Sequence, residues 1–166
     1  GRPSAIIHPP VDAGRFALST RDEGFFLVVS ALVPYKRIDL AIAACNALGE
    51  RLVIVGSGSE ERKLRAIAGP TIEFLGRVED DAVRAQYERC RALLFPGVED
   101  FGIVPLEAMA CGTPVIAFGQ GGACETVLDG VTGVLFPEQT PGSLQAAIGA
   151  FCQGTFDGAA IRAHAL

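Results

Sequence analysis

The chain of 166 residues has no tryptophan, one methionine, two histidines and fewer basic than acidic residues. Its formal net charge of −5, from 14 basic and 19 acidic residues, argues against a general nucleic-acid or membrane-surface binder, because such proteins usually present a basic face. No apolar run is long enough to span a bilayer. What remains is the composition of one globular domain with a substantial core.

The cysteines form no CxxC motif and no cluster with histidine, and their number, five, is odd. A disulfide framework or a metal site is therefore disfavoured. Because the cysteines are widely spaced in apolar stretches, we expect small buried thiols in a reducing compartment. They are Cys45, Cys90, Cys111, Cys124 and Cys152.

Continuous apolar runs, typical of strands buried on both faces, alternate with helical patterns along the whole chain. The predicted strands are FFLVVS, RLVIVG, TIEFLG, ALLFPG, PVIAFG and GVLF. This alternation predicts an α/β fold, a Rossmann-like doubly wound parallel sheet of about six strands with helices on both faces. We expect a lead-in segment at 1–21, the domain at 22–157, and a cut-off helix at 158–166. Since the chain opens without methionine, we expect a piece of a longer protein.

Ligands bind such sheets outside the carboxyl ends of the strands, so the loops there are the candidate site. After the first strand come Lys36 and Arg37, predicted at the start of a helix, where cations are disfavoured by about 0.3–1 kcal/mol. A bound anion would reverse this cost. The alternative is a pair of solvated basic residues, with Asp39 as an ion-pair partner.

The segment GQGGACE places Gly121 and Gly122 immediately before a helix. Such a turn lets the backbone approach a phosphate or a sugar, but a tight strand-to-helix turn also requires glycine. Glu125, in the first turn of that helix, can simply complement the helix dipole. A nicotinamide-cofactor motif at GSG (56–58) is disfavoured, because Glu61 stands where the third glycine is needed.

Two glutamates follow the fourth strand, close to the core. Pro105 near a helix start predicts Glu107 in the first turn, where the dipole alone could explain it. Glu99 lies in the loop before, with Phe101 and Gly102 at the bend. Both carboxylates are expected in one crevice, where they can accept hydrogen bonds from hydroxyls. With the basic residues opposite, this pattern favours a nucleotide-sugar site.

In these motifs the sequence resembles the donor-binding half of retaining GT-B glycosyltransferases of family 4, over nearly all of residues 22–157. The most specific element is the Glu-x7-Glu motif in EDFGIVPLEAMACGTPVIA, followed by GGACETVLDGVTGVLF. LVPYKRIDLAI, LVIVGSG and FLGRV stand in the matching order. The form ALVPYKRID is similar to mannosyltransferases that use GDP-mannose.

The resemblance implies that Lys36 holds the diphosphate of a nucleotide-sugar and that Glu107 binds the ribose hydroxyls. It makes Glu99 the catalytic carboxylate, which meets the transferred sugar and stabilises developing positive charge. Other implied donor contacts are Arg37, Phe101, Gly102, Ile103 and Val104 at the sugar and diphosphate, and Gly76, Arg77 and Val78 beside the base.

The sequence departs from the family where many members carry an arginine after the first strand, because Ala31 stands there. Either Arg37 supplies that charge or the site holds phosphate more weakly. The resemblance also implies a second, N-terminal acceptor-binding domain, with a catalytic histidine that neither His8 nor His164 matches. We therefore expect a nucleotide-sugar donor, no metal or cofactor, and no sugar transfer by this chain alone.

For the full-length protein we expect a cytoplasmic location, with peripheral membrane association through the missing half as an open alternative. The competing functions are a non-catalytic nucleotide-binding module and a GT-B nucleotide-sugar epimerase. A phosphorylase is disfavoured, because it needs a pyridoxal-phosphate lysine and the chain has only Lys36 and Lys63.

Overall fold

The computed structural model describes residues 12–166, so His8 and most of the predicted lead-in segment lie outside the described residues. The strands are β1 (Phe25–Val29), β2 (Arg51–Val55), β3 (Ile72–Gly76), β4 (Ala92–Phe95), β5 (Val115–Phe118) and β6 (Gly133–Phe136). The helices are α1 (Ile38–Leu48), α2 (Glu61–Ile67), α3 (Asp80–Tyr87), α4 (Ile103–Ala110), α5 (Ala123–Thr126), α6 (Pro141–Gln153) and α7 (Gly158–Ala165).

All six strands pair in parallel in the order β3-β2-β1-β4-β5-β6. Alternate strand residues enter two separate cores. Phe26 and Val28 pack with residues of α1, α2 and α6, whereas Phe25 and Leu27 pack with residues of α3, α4, α5 and α7. The apolar runs therefore reflect burial on both faces, and the predicted fold class is confirmed.

Helix ends follow local sequence signals. The Thr140 side chain accepts a hydrogen bond from the Ser143 amide at the start of α6, where Pro141 is the first helical residue. Asp157 caps α7 in the same way, accepting from the Ala159 amide at 2.9 Å. These caps fix the two helices that complete the outer layers of the sheet.

The segment before β1 is bound to the domain along its described length. The Ser19 amide donates to the Cys111 carbonyl at 3.0 Å, and Arg162 of α7 donates to the Phe16 carbonyl at 2.8 Å. The ring centroid of Phe16 lies 6.4 Å from that of Tyr87. This segment thus lies on the α3, α4 and α7 side of the sheet.

Three of the five cysteines are buried, namely Cys45, Cys90 and Cys111. Burial raises the pKa of the Cys45 and Cys111 thiols to about 12, so they are unreactive. The prediction is wrong for Cys124 and Cys152, which are exposed because they lie on the outer sides of α5 and α6.

Within residues 12–166, no helix combines the length and the apolar character needed to cross a membrane.

The strand order reverses at β1, since the chain continues outward to β2 and β3 and then returns to β4 on the other side. The loops after β1 and β4 therefore diverge above the sheet and leave a crevice at its carboxyl edge. This crevice is where the candidate site is found.

Candidate functional site

The loops after β1 and β4 contact each other at the switch point of the sheet. Gly97 permits this approach, because a Cβ atom built on it would lie only 2.9 Å from the Cα atom of Lys36. Since that neighbour is backbone, a larger residue at position 97 would force the loops apart. The close approach brings Lys36 of the first loop to Glu99 of the second.

Lys36 and Glu99 form an ion pair through Nζ and a carboxylate oxygen. Their side chains are 14% and 24% exposed, so the pair is screened less than one on the open surface. Sequence analysis assigned the cation to a diphosphate and the carboxylate to a sugar. The structure places the two groups in direct contact, so a ligand that joins a phosphate to hydroxyl groups can meet both partners together.

Arg37 is oriented toward Asp39. Its Nε and Nη2 atoms each donate to the Asp39 carboxylate at 3.0 Å, and Nη1 donates to Gln139 Oε1 at 3.4 Å. Both basic residues lie at the start of α1, as expected, but they precede its first turn. Lys36 ends a 3-10 turn, and Arg37 is the left-handed N-cap of α1, with φ 52°. Arg37 therefore forms the ion pair with Asp39, and its contact with an anion stays a prediction.

The N-terminus of α4 is built from the loop that carries Glu99. Gly102 is its N-cap with φ 83°, and no described side chain caps this end. The amide groups of Ile103 and Val104 are therefore available to an anion or to water, whereas Pro105 has no amide hydrogen. Around them, Phe101 and Val104 are half-buried and Ile103 is 44% exposed.

The glycine-rich turn, which contains Gly121 and Gly122, packs against the loop that carries Glu99. The Gly122 amide donates to the Glu99 carbonyl at 2.7 Å, so it is not free for a phosphate. A Cβ atom on Gly122 would lie 2.4 Å from the Cα atom of Phe101, and one on Gly121 would lie 2.5 Å from the Glu99 carbonyl oxygen. The structure thus gives these glycines a packing role, and Glu125 is exposed in the first turn of α5.

Glu107 lies beyond the first turn of α4, because the helix begins at Ile103 and Pro105 is its third residue. The expected first-turn position is therefore wrong, and the helix dipole does not account for this carboxylate. Its Oε2 atom accepts a hydrogen bond from the Tyr87 hydroxyl at 2.9 Å. Burial raises the pKa of Glu107, and the hydrogen bond from Tyr87 opposes that rise.

A pocket of about 230 Å³ opens beside Glu107. Its walls come from the end of β1, from α3, from α4 and from the segment before β1. The lining residues are Arg15, Phe16, Val29, Asp80, Val83, Arg84, Tyr87 and Glu107. Glu99 does not line it; with Lys36 it lines a smaller cavity that shares Val29 with this pocket.

The predicted base-proximal residues follow β3. Gly76 ends that strand with φ 69°, and its carbonyl accepts a hydrogen bond from the Gly56 amide at 2.8 Å. Arg77 is exposed, and Val78 packs against the core on the α3 side. Their contact with a base stays a prediction.

Two site residues were not found from the sequence. From the sequence, Tyr87 is predictable only as a core residue on the apolar face of a helix. A buried tyrosine needs a partner for its hydroxyl, and Tyr87 is one of just two tyrosines in the chain. Gln139 gave no local signal, because it contacts Arg37 and the Pro96 carbonyl across long sequence separations.

His164 lies on α7, with Nε2 3.0 Å from the Thr126 carbonyl oxygen.

An open parallel sheet with charged loops at its switch point is consistent with a Rossmann-like GT-B domain. The structure superposes on that of AviGT4, a glycosyltransferase involved in avilamycin A biosynthesis, with a TM-score of 0.77 at 23% identity over 99% of this chain and 53% of that chain. Residues 13–155 match the family glycosyl transferases group 1, and the chain belongs to that family.

A curated relative and a second structure carry information on ligands. The chain is 32% identical to the GDP-mannose-dependent alpha-(1-6)-phosphatidylinositol monomannoside mannosyltransferase of Mycolicibacterium smegmatis, over 90% of this chain and 47% of that protein. Anabaena Alr3699/HepE, solved in complex with UDP and glucose, is 25% identical, with a TM-score of 0.66 over 84% of this chain and 46% of that chain. The chain spans less than half the length of the curated relatives it matches, from 26% to 47%.

Proposed function

We propose that this domain binds the nucleotide-diphospho-sugar donor of a family 4 glycosyltransferase that transfers a hexose with retention of configuration. The observation that carries the proposal is the ion pair of Lys36 with Glu99 at the switch point. A sugar diphosphate offers an anion to the lysine and hydroxyls to the glutamate. GDP-mannose is the donor we propose, supported by the form ALVPYKRID and by the name of the mycobacterial relative.

In this proposal Lys36 and the first amides of α4 hold the diphosphate and stabilise its charge as it leaves. Glu99 contacts the transferred sugar, where its carboxylate stabilises the positive charge that develops on the ring. Glu107 accepts hydrogen bonds from the ribose in the pocket beside α3, and Gly76–Val78 lie next to the base. Because protein groups meet the diphosphate charge, we propose that no metal or cofactor takes part.

Sugar transfer itself would need the N-terminal acceptor-binding domain of a longer protein. Acceptor, location and membrane association would then depend on that domain, and we propose a cytoplasmic enzyme in which this chain supplies the donor half.

Calorimetric titration with GDP, UDP, ADP and GDP-mannose in the presence of EDTA tests the proposal. We expect metal-independent binding of GDP, and tighter binding when mannose is attached. Lys36→Ala should weaken binding of GDP by about 1.5–3 kcal/mol, the typical value of a hydrogen bond to a charged group, while binding of guanosine changes little.

Lys63→Ala is the matched control, because Lys63 is the only other lysine and lies exposed on α2 beside Glu60. It removes the same charge from the protein and should leave the affinity for GDP unchanged. Equal losses in the two variants, or equal losses for GDP and guanosine in Lys36→Ala, would remove Lys36 from the phosphate site. If none of the four ligands binds, the domain does not hold a donor by itself.

A further inference from the structure

The hydroxyl of Tyr87 is held against Glu107 by the structure around it. Tyr87 is only 1% exposed, and its ring lies between the core of the α3 side and the Phe16 ring. Its backbone is fixed as well, since the Thr113 hydroxyl donates to the Tyr87 carbonyl at 2.7 Å. With ring and backbone both held, the hydroxyl has a defined position at the floor of the pocket.

The contact leaves Glu107 available to a ligand from the other side. Tyr87 donates to Oε2 at 2.9 Å and uses one acceptor position of that oxygen. A carboxylate has about four acceptor positions, so this bond leaves most of the acceptor capacity of Glu107, which lines the pocket, for a ligand. Fixing one oxygen also removes rotamer freedom from a long side chain before any ligand arrives.

The phenol further favours the form of Glu107 that accepts hydrogen bonds. Burial raises the pKa of this carboxyl, and so does the nearby charge of Asp80. Both the Tyr87 hydroxyl and Arg15 oppose that rise. An ionised carboxylate accepts from two hydroxyls at once, whereas a protonated one would use part of this capacity as a donor.

We propose that Tyr87 is a positioning residue, which orients the Glu107 carboxylate toward the vicinal hydroxyls of the donor ribose. This inference rests on the proposed function, because it takes the pocket beside Glu107 as the ribose site. On this inference, the preference of the domain for ribose over dideoxyribose depends on Tyr87 and Glu107 together, not on Glu107 alone.

The test is the affinity ratio of a ribonucleotide to its 2′,3′-dideoxy counterpart, measured by calorimetry with GDP and dideoxy-GDP. We expect the unchanged domain to bind GDP at least about tenfold more tightly than dideoxy-GDP. In Tyr87→Phe this ratio should fall by about 3- to 10-fold through weaker binding of GDP, with dideoxy-GDP unaffected. Tyr35→Phe, which removes the only other tyrosine hydroxyl, should keep the ratio.

A merely structural role for Tyr87 would instead weaken both nucleotides equally, and that result would overturn the inference. A preserved ratio in Tyr87→Phe would overturn it too, while the ribose site of the proposed function would stand. If the unchanged domain itself shows a ratio near one, the ribose site fails, and the inference fails with it.

A second readout does not depend on the folding of Tyr87→Phe. Incorporation of 3-fluorotyrosine into the Tyr35→Phe protein places a single fluorine label at position 87. Its ¹⁹F resonance should shift on binding of GDP and stay in place on binding of dideoxy-GDP. A resonance that responds to both nucleotides alike, or to neither, would exclude coupling between Tyr87 and the ribose.

Discussion

Replacement of Gly122 by alanine tests whether the glycine-rich turn supports the loop that carries Glu99. The Cβ atom would lie 2.4 Å from the Cα atom of Phe101 and 2.6 Å from the Asp100 carbonyl oxygen. Ordinary contacts begin at 3.4 Å, so the two loops must separate by about 1 Å. Because Gly122 has φ −61° and ψ −20°, alanine brings no backbone strain, and the effect isolates the lack of space.

The expected cost has two parts. Overpacking against backbone costs about 1–3 kcal/mol, and loss of the 2.7 Å hydrogen bond from the Gly122 amide to the Glu99 carbonyl costs about 1 kcal/mol. We therefore expect Gly122→Ala to lower the free energy of unfolding by about 2–4 kcal/mol. Since the chain has no tryptophan, urea unfolding is best followed by far-ultraviolet circular dichroism.

Gly149→Ala is the matched control. Gly149 lies within α6, and a Cβ atom there would meet nothing within 4 Å. The same added methyl should stabilise the domain by about 0.5–1 kcal/mol through helix propensity. If Gly122→Ala were as stable as the unchanged protein while Gly149→Ala gained stability, the supporting role of the turn would be refuted.

Two further predictions concern the glutamates. Burial raises the pKa of Glu107, so the folded state holds this proton more tightly than the unfolded state, and stability falls as pH rises from the ordinary carboxyl pKa through the raised one. Glu107→Gln should therefore be more stable at neutral pH, with an advantage that shrinks toward about pH 4 in urea unfolding; an advantage independent of pH would contradict this cause. Glu99→Gln frees Lys36 from its ion pair, so we expect tighter binding of GDP and a smaller gain from attached mannose. Calorimetry with both ligands checks this, and unchanged affinity for GDP would show that the pair does not compete with phosphate.

The fold was predictable because strands that are buried on both faces have continuous apolar sequences. FFLVVS, RLVIVG and ALLFPG contain β1, β2 and β4, and glycines mark several of the ends. Helix starts were less predictable. Arg37 adopts a left-handed backbone conformation, which is uncommon for arginine and is not predictable from the residue type. Pro105 is the third residue of α4, although proline is most common at the first position of a helix.

The candidate site was predictable in its members and less so in its contacts. Lys36 and Glu99 are 63 positions apart, and only the strand order brings their loops together. Tyr87 was missed because a tyrosine on an apolar helix face reads as core, and its partner lies on another helix. Gly122 was left open between ligand contact and turn, since both uses need glycine.

Because Lys36 and Glu99 are paired, a ligand that reaches one of them must also compensate the other. A free phosphate that takes the lysine leaves the 24% exposed carboxylate with neither its partner nor full hydration, and a neutral sugar does the reverse to the lysine. Each half-ligand thus works against the pair, and only a molecule that carries both groups at the right separation replaces both contacts. Under the proposed function, selectivity for an intact donor over its own breakdown products would follow from two side chains, and the spent diphosphate would be released as the pair re-forms.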